Sequence, residues 1–315
     1  MIANNLYTEI GWGITCIDAD YGKPCGAACY LLEHRGEVAI IETGVQATVP
    51  RVAQLLAAKG LGPEAVRYVI PTHVHLDHAG GAGHLMASFP EATLVIHPKG
   101  ARHMAVPDKL EAGTRAVYGD TRFAELYGSI VPVPEARMQI AEDGFTLDIQ
   151  GRTLVFRDAP GHANHHFVVW DQLSRGWFSG DTFGVSYPQM AANGRRMMMP
   201  STTPVQFNPE KLLASIAMMM EAAPEAIYLT HFGAVREIPG LAQQLLDKIP
   251  RYCEIALACR NDDSPQASIA RALLAMERDN LLAIQPHLDA AAIHGVLGLD
   301  IELNAQGLAH WVSHL

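Results

Sequence analysis

Thr72-His73-Val74-His75-Leu76-Asp77-His78 sets three imidazoles and a carboxylate inside one short run. Such a cluster has no economical place in an apolar core, because unpaired imidazoles and a carboxylate cost several kcal/mol to bury. Nitrogen and oxygen donors of this kind suit zinc, iron or manganese, and thiolate-built soft-metal sites are excluded. In an extended loop, alternation points His73 and His75 the same way, while Asp77 and His78 emerge from the following turn toward a neighbouring position. The run therefore divides between two cations, each needing ligands from elsewhere.

Working outward, Tyr68 to Ile70 reads as a buried strand that feeds the cluster directly. Upstream, ITCIDA and ACYLLEHRGEVAIIE read as strands, the latter folded back at Arg35-Gly36, and VPRVAQLLAAKGL reads as a helix closed by Gly60. Downstream, GHLMASFP reads as a short helix and ATLVIHP as a strand, so strand, helix and strand alternate as in a layered α/β protein. The rhythm lapses over 99–135, which reads as a helical insertion able to wall a pocket. It returns as a meander through FTLDIQ, RTLVFRDAP, HHFVVWDQ and GWFSGD. A helix opened by Pro209 and the strand AIYLTHFG follow, and from about 240 the pattern is uniformly helical.

The missing ligands stand where apolar strands end. His162 follows the strand Thr153 to Phe156, Asp181 follows Trp177-Phe178, and His231 follows Ile227 to Leu229. Strand ends are where α/β folds place their sites. Taken alone, a strand-end His or a Gly-Asp step is more often structural; the dense cluster is what turns these three into ligand candidates.

Bulk properties narrow the function class. With 49% hydrophobic and 18% charged residues, the 315-residue chain suits a globular enzyme with a sizeable core, not a long disordered protein. A formal charge of −10 with scattered basic residues argues against nucleic acid as a partner. The start MIANNLYTEIGWG carries no basic-then-apolar leader and no stretch reaches membrane-span length, so the expectation is a cytoplasmic protein without a membrane partner. Five cysteines in no framework spacing read as reduced thiols, and Cys25 and Cys29 in CGAAC lack the further ligands of a metal site.

On these residues the chain resembles the metallo-β-lactamase-fold hydrolase superfamily. Its HxHxDH signature is matched by His73, His75, Asp77 and His78, and its later His, Asp and His motifs by His162, Asp181 and His231, over roughly residues 10 to 240. The resemblance implies an α/β fold, an αββα sandwich with the metals at one edge. Here that means a catalytic domain over 1–240 and a helical C-terminal extension over 241–315. It implies that His73, His75 and His162 hold one metal, that Asp77, His78 and His231 hold the other, and that Asp181 bridges both. Gly161-His162-Ala163-Asn164-His165-His166 is similar to the family's GHTxGH stretch, which makes His166 a candidate for supporting the ligands from behind. There is one departure: where the family commonly has an Asp that bonds the His-rich loop, this chain has Glu42, which leaves open how the loop is held.

Two divalent ions, zinc first with iron or manganese as alternatives, lower the pKa of a bridging water and polarise a substrate oxygen. Asp77 is then placed to orient the resulting hydroxide and take up its proton. The expected reaction is hydrolysis of a small-molecule ester, thioester or lactone, as in the glyoxalase II and lactonase branch. A phosphodiesterase or phosphotriesterase with the same centre, and a mononuclear iron enzyme like the persulfide dioxygenases, are the alternatives; a binding protein without turnover would be expected to have lost ligands. Phe183, Tyr187 and Tyr118 are the pocket candidates, with Met197, Met198 and Met199 as an adaptable apolar border. Lys248 and Arg251 lack the clustering expected for glutathione recognition, and a homodimer is the assembly considered.

Overall fold

The computed structural model describes residues 6–202 and 205–315; the first five residues, part of the stretch read for a leader, and residues 203–204 lie outside the described residues. The chain forms two compact units. The first comprises Met1–Asp158, His165–Gly180 and Glu225–Ala234, and the second comprises Ala159–Asn164, Asp181–Pro224 and Val235–Leu315.

One sheet of the first unit runs in chain order: β1 (Tyr7–Gly11), β2 (Ile14–Asp18), β3 (Ala28–His34), β4 (Glu37–Ile41), β5 (Val66–Ile70), β6 (Thr93–Ile96) and β7 (Met138–Ile140). Its first four strands are antiparallel neighbours, and β4 to β7 are parallel. The crossovers carry helices, as parallel pairs require: α1 (Thr48–Ala58), α2 (Leu76–Ala79) and α3 (Ala82–Ser88), then α4 (Pro98–Ala105), α5 (Asp108–Tyr118) and α6 (Asp120–Tyr127) within the segment 99–135.

The other sheet contains β8 (Thr146–Ile149), β9 (Arg152–Asp158), β10 (Phe167–Asp171) and β11 (Gly176–Gly180). After a small hairpin of β12 (Ala191–Ala192) and β13 (Arg195–Arg196), it is completed by β14 (Ala226–Leu229) and β15 (Gly233–Val235), in the order β15-β14-β11-β10-β9-β8. Within it β11 and β14 are parallel. The fold is the expected α/β one, two sheets with helices and a helical C-terminal segment. Strands β1 and β7 and the β12–β13 hairpin add to the sequence reading; β1 is half-exposed and the others are only two or three residues long, too short for periodicity to reveal.

Alternation along the strands explains the double-sided core. Cys29 and Leu31 of β3 and Val38 and Ile40 of β4 join Val52, Leu55 and Leu85 in the layer between sheet and helices. Ala28, Tyr30 and Leu32, with Ala39 and Ile41, face the other sheet and meet Phe156, Phe178 and Tyr228. Both faces are buried, so these strands read as near-continuous apolar runs. Tyr30 ties the sheets with more than area: its ring lies 5.3 Å from Phe178, edge-on, and its hydroxyl donates to the carbonyl of Leu229.

The second unit holds α7 (Pro209–Glu221), capped by the Asn208 side chain on Lys211, then α8 (Ile238–Cys259), α9 (Pro265–Ile284) and α10 (Ala290–Val312). Leu241, Leu245, Ile249, Tyr252 and Ala256 form the buried stripe of α8, as their spacing requires. Among the described residues no helix is long and apolar enough to cross a membrane. All five cysteines are free thiols.

A fully buried ion pair closes the β9–β10 hairpin. Arg152 donates from Nε and Nη2 to the two oxygens of Asp171 at 2.9 and 2.5 Å, and from Nη1 to the carbonyl of Trp12; Ser174 donates its amide and hydroxyl to the same carboxylate. Neutralising one partner leaves the other charge buried, a loss of about 3–5 kcal/mol. Asp171→Asn is therefore expected to lower unfolding free energy by that order in urea titration, and an unchanged midpoint would show the pair to be dispensable.

Candidate metal centre

Parallel strands bring the ligand-bearing loops of the first unit together. Because β4 and β5 are parallel neighbours, Glu42 and Thr72 leave the same edge side by side, and the Glu42 amide donates to the carbonyl of Ile70 at 2.9 Å. Because β11 and β14 are likewise parallel, Gly180 and Thr230 end together on the other sheet, and the amide of Ala28 on β3 donates to the carbonyl of Thr230 at 2.7 Å. Gly180 has φ +49°, and a Cβ there would sit 2.4 Å from Nε2 of His166 and 2.5 Å from Oγ1 of Thr72. Only glycine lets this strand end so close to the His loop.

Glu42 answers the question left by the departure from the family pattern. Its carboxylate is buried and accepts four hydrogen bonds: Oε1 from the hydroxyls of Thr72 (2.6 Å) and Thr230 (2.8 Å) and from Nδ1 of His78 (3.0 Å), and Oε2 from the Thr72 amide (3.1 Å). The longer side chain thus supports the loop directly. Its backbone lies at φ +63°, a left-handed conformation costing a non-glycine residue about 1–3 kcal/mol unless the surroundings hold it, which these bonds do.

The bonds also select tautomers. A carboxylate takes the Nδ1 proton of His78, so Nε2 carries the lone pair. The carbonyl of Gly26 can only accept, so Nδ1–H of His231 donates to it at 2.7 Å and Nε2 is again the donor nitrogen toward a cation. Both Nε2 atoms face one carboxylate oxygen: Asp77 Oδ2 lies 3.6 Å from His78 Nε2 and 3.4 Å from His231 Nε2. Ligand atoms about 2.0–2.2 Å from one tetrahedral cation sit roughly 3.3–3.6 Å apart, so these three residues fit a metal ion.

His73 and His75 lie beside this trio. The rings of His73 and His78 are 4.0 Å apart, and His73 Nε2 is 2.8 Å from His75 Nδ1, two imidazoles directed at one point. His73 Nδ1 lies 3.2 Å from the Thr72 hydroxyl, which itself donates to Glu42. His166 stacks on His73 with ring centres 4.8 Å apart, and His165, not singled out from sequence, accepts from the Val74 amide at 3.4 Å.

In the second unit, His162 and Asp181 form a matching pair. His162 Nε2 is 3.4 Å from Asp181 Oδ2, which accepts from the Ser201 hydroxyl at 3.0 Å, and His162 Nδ1 faces the carbonyl of Ser201 at 3.3 Å. That again frees Nε2 for a cation. Of the seven expected ligands, the first unit thus brings together His73, His75, Asp77, His78 and His231, and the second unit joins His162 and Asp181.

Of the pocket candidates, Phe183 is fully buried and Tyr187 donates its hydroxyl to Asp300 of α10 at 3.1 Å. Tyr118 is half-buried against Tyr127, their ring centres 5.8 Å apart. Sequence reasoning passed over Thr72, Thr230, Ser201, and the pair Tyr21 and Tyr127, whose hydroxyls meet at 3.0 Å. Burial pushes both of those phenols up, and the negative charge of Asp77 adds to it. The threonines had a signal: His73 and His231 are each preceded by Thr.

The chain is similar to known proteins in sequence and in fold. A family model described as the metallo-beta-lactamase superfamily matches residues 22–231. The chain is 26% identical over 156 residues to the beta-lactamase-like protein 2 homolog of Caenorhabditis elegans, covering 50% of this chain and 44% of that one. It is 24% identical over 238 residues to the atrochrysone carboxyl ACP thioesterase of Aspergillus fumigatus, covering 75% and 60%. The matches thus span about half the length of these curated relatives. In fold it is similar to the solved archaeal metallo-beta-lactamase superfamily protein ST1585 from Sulfolobus tokodaii, with a TM-score of 0.67, 20% identity, and coverage of 95% of this chain and 98% of that one.

Loss of a group that orients ligands from behind typically costs 10–100-fold in metal affinity. Glu42→Ala is expected to weaken metal binding by that order in a chelator competition titration, with Glu42→Gln intermediate. Affinities equal to wild type in both would remove Glu42 from control of the centre.

Proposed function

Because the chain belongs to the metallo-beta-lactamase superfamily, whose members are typically hydrolases, we propose that it hydrolyses a small-molecule ester, thioester or lactone. The observation that carries this reading is the convergence of Asp77 Oδ2 with the Nε2 atoms of His78 and His231 at 3.4–3.6 Å. A thioesterase among the relatives favours acyl over phosphoryl chemistry.

The family pattern supplies the rest of the proposal. His73, His75 and His162 hold one divalent ion, Asp77, His78 and His231 hold a second, and Asp181 is shared; zinc is the metal proposed. Bound there, the cations supply a water of lowered pKa and polarise the substrate oxygen. The chain's own part is positional. Glu42 and the Gly26 carbonyl hold the Nδ1 protons of His78 and His231 and so keep their Nε2 atoms as ligands. Asp77, less buried than its partners, orients the attacking oxygen and receives its proton at the carboxylate. Residues 1–240 are the catalytic portion in this reading and 241–315 a helical extension, acting in the cytoplasm on a small molecule, as a homodimer, with neither nucleic acid nor membrane as partner.

Metal-loaded protein is expected to turn over p-nitrophenyl esters, S-lactoylglutathione or acyl-homoserine lactones, and not bis-p-nitrophenyl phosphate; activity on the phosphodiester alone would replace acyl hydrolysis with phosphodiesterase chemistry. Chelation should abolish turnover. Asp77→Asn should lower kcat by about 10²–10⁴-fold, the range for loss of a positioned acid–base group. One iron per chain together with oxygen consumption would sink the hydrolase reading.

Asp181→Ala is expected to lower metal content measured by elemental analysis and activity in parallel. Retention of two metals per chain would contradict its shared role.

A further inference from the structure

A cavity of about 430 Å³ lies wholly in the second unit, lined by the β12–β13 hairpin, the first half of α8 and the end of α9. Its lining mixes apolar walls, Met197, Leu241 and Ile284, with the cations Arg195, Arg196 and Lys248.

The three cations are not equivalent. Lys248 is neutralised: its Nζ donates at 2.6 Å to the fully buried Glu277, whose carboxylate also accepts from Tyr252 (2.8 Å) and Asn280 (2.9 Å). Arg196 is half-buried, and its guanidinium donates from Nη1 to the Ser186 hydroxyl at 3.1 Å. Arg195 donates from Nη1 to the carbonyl of Ala283 at 2.7 Å, at the last turn of α9. Among the described residues neither arginine has a carboxylate within ion-pair distance; Arg195 is exposed, and the acid of the lining, Glu237, is exposed and acts on Arg196 from farther off. Burial pushes the Arg196 guanidinium down, and the charge of Glu237 works the other way. A guanidinium offers five donors in a planar fork, and among the described residues only Nη1 of each arginine meets a protein acceptor, the Ala283 carbonyl for Arg195 and the Ser186 hydroxyl and carbonyl for Arg196.

The arginines are held in place by design of the turn. Asn193 and Gly194, at φ +51° and +73°, form the tight two-residue hairpin loop that an Asn-Gly step favours, which sets Arg195 and Arg196 at its exit. Gln244 of α8 pins the strand, donating to the carbonyl of Arg196 at 2.9 Å and accepting from the Met198 amide at 3.0 Å.

We propose that this cavity is a binding site for an amphipathic organic anion, its carboxylate or phosphate head on Arg196 and Arg195 and its hydrocarbon part against Leu241 and Ile284. A head group with two or more oxygens satisfies the guanidinium forks and adds negative charge where two arginines face the single, more distant carboxylate of Glu237. The site does not depend on the metal cluster or on the reaction carried out there.

The test is isothermal titration calorimetry of the full chain with sodium octanoate, octyl phosphate and 1-octanol. One or both anions should bind and the alcohol should not, the tighter anion identifying the head group. Arg196→Gln should weaken binding at least tenfold. Gly240→Leu gives a second variant that does not touch the arginines: Gly240 is exposed and lines the cavity within α8, and a Cβ there meets nothing within 4 Å, so a larger side chain is introduced into open space at the cavity. It should also lose at least tenfold in affinity while its thermal unfolding stays at or above wild type. Asp77→Ala should bind the anion as wild type does. No binding of either anion, octanol binding as tightly as octanoate, wild-type affinity in both cavity variants, or loss of binding in Asp77→Ala would each overturn the assignment.

Discussion

One buried carboxylate holds the edge on which the ligands are displayed. Glu42 leaves β4, and its two oxygens gather the end of β5 through Thr72, the end of β14 through Thr230, and a ligand ring through His78. Charge-assisted bonds of this kind are roughly twice as strong as neutral ones, and buried together they leave the three loops one arrangement. A conformational penalty at φ +63° is offset because four donors converge on the side chain.

The same holding of Nδ1 recurs at other ligand candidates. An imidazole can bind a cation through either nitrogen, and which one is decided by where the other proton goes. At His78 it goes to a carboxylate, at His231 to the Gly26 carbonyl, and at His162 toward the Ser201 carbonyl. His78 in α2 and His231 after β14 thereby offer Nε2. Tyr21 and Tyr127 are kept protonated by burial and by the charge of Asp77, and their hydroxyls bond to each other.

Much of this was legible beforehand. The strand-to-cluster step at Tyr68–His78, the paired apolar strands and the helix from Pro209 appear as their spacing implies. Glu42 was legible only as a departure, because whether a longer carboxylate still reaches the loop depends on the separation of strand ends, which no local pattern encodes. Strand β1 escaped because half-exposed residues carry little alternation, and the β12–β13 hairpin because its strands have two residues each. Tyr187, read from sequence as a pocket candidate, donates its hydroxyl to Asp300 more than a hundred positions away, a partner that closeness to Asp181 in sequence could not reveal.

The residue order alone determined the donor types, the alternation of strands and helices, and the positions where apolar strands give way to His or Asp. Those are properties of side-chain chemistry and of period, and both are local. Tertiary structure decided which nitrogen of His78 and His231 is left open as a ligand, that Glu42 substitutes for a shorter acid, and that Arg195 and Arg196 share a cavity with no ion pair among the described residues. These depend on distances between atoms far apart in the chain, set by parallel strand pairing in one unit and by a hairpin lodged against two helices in the other.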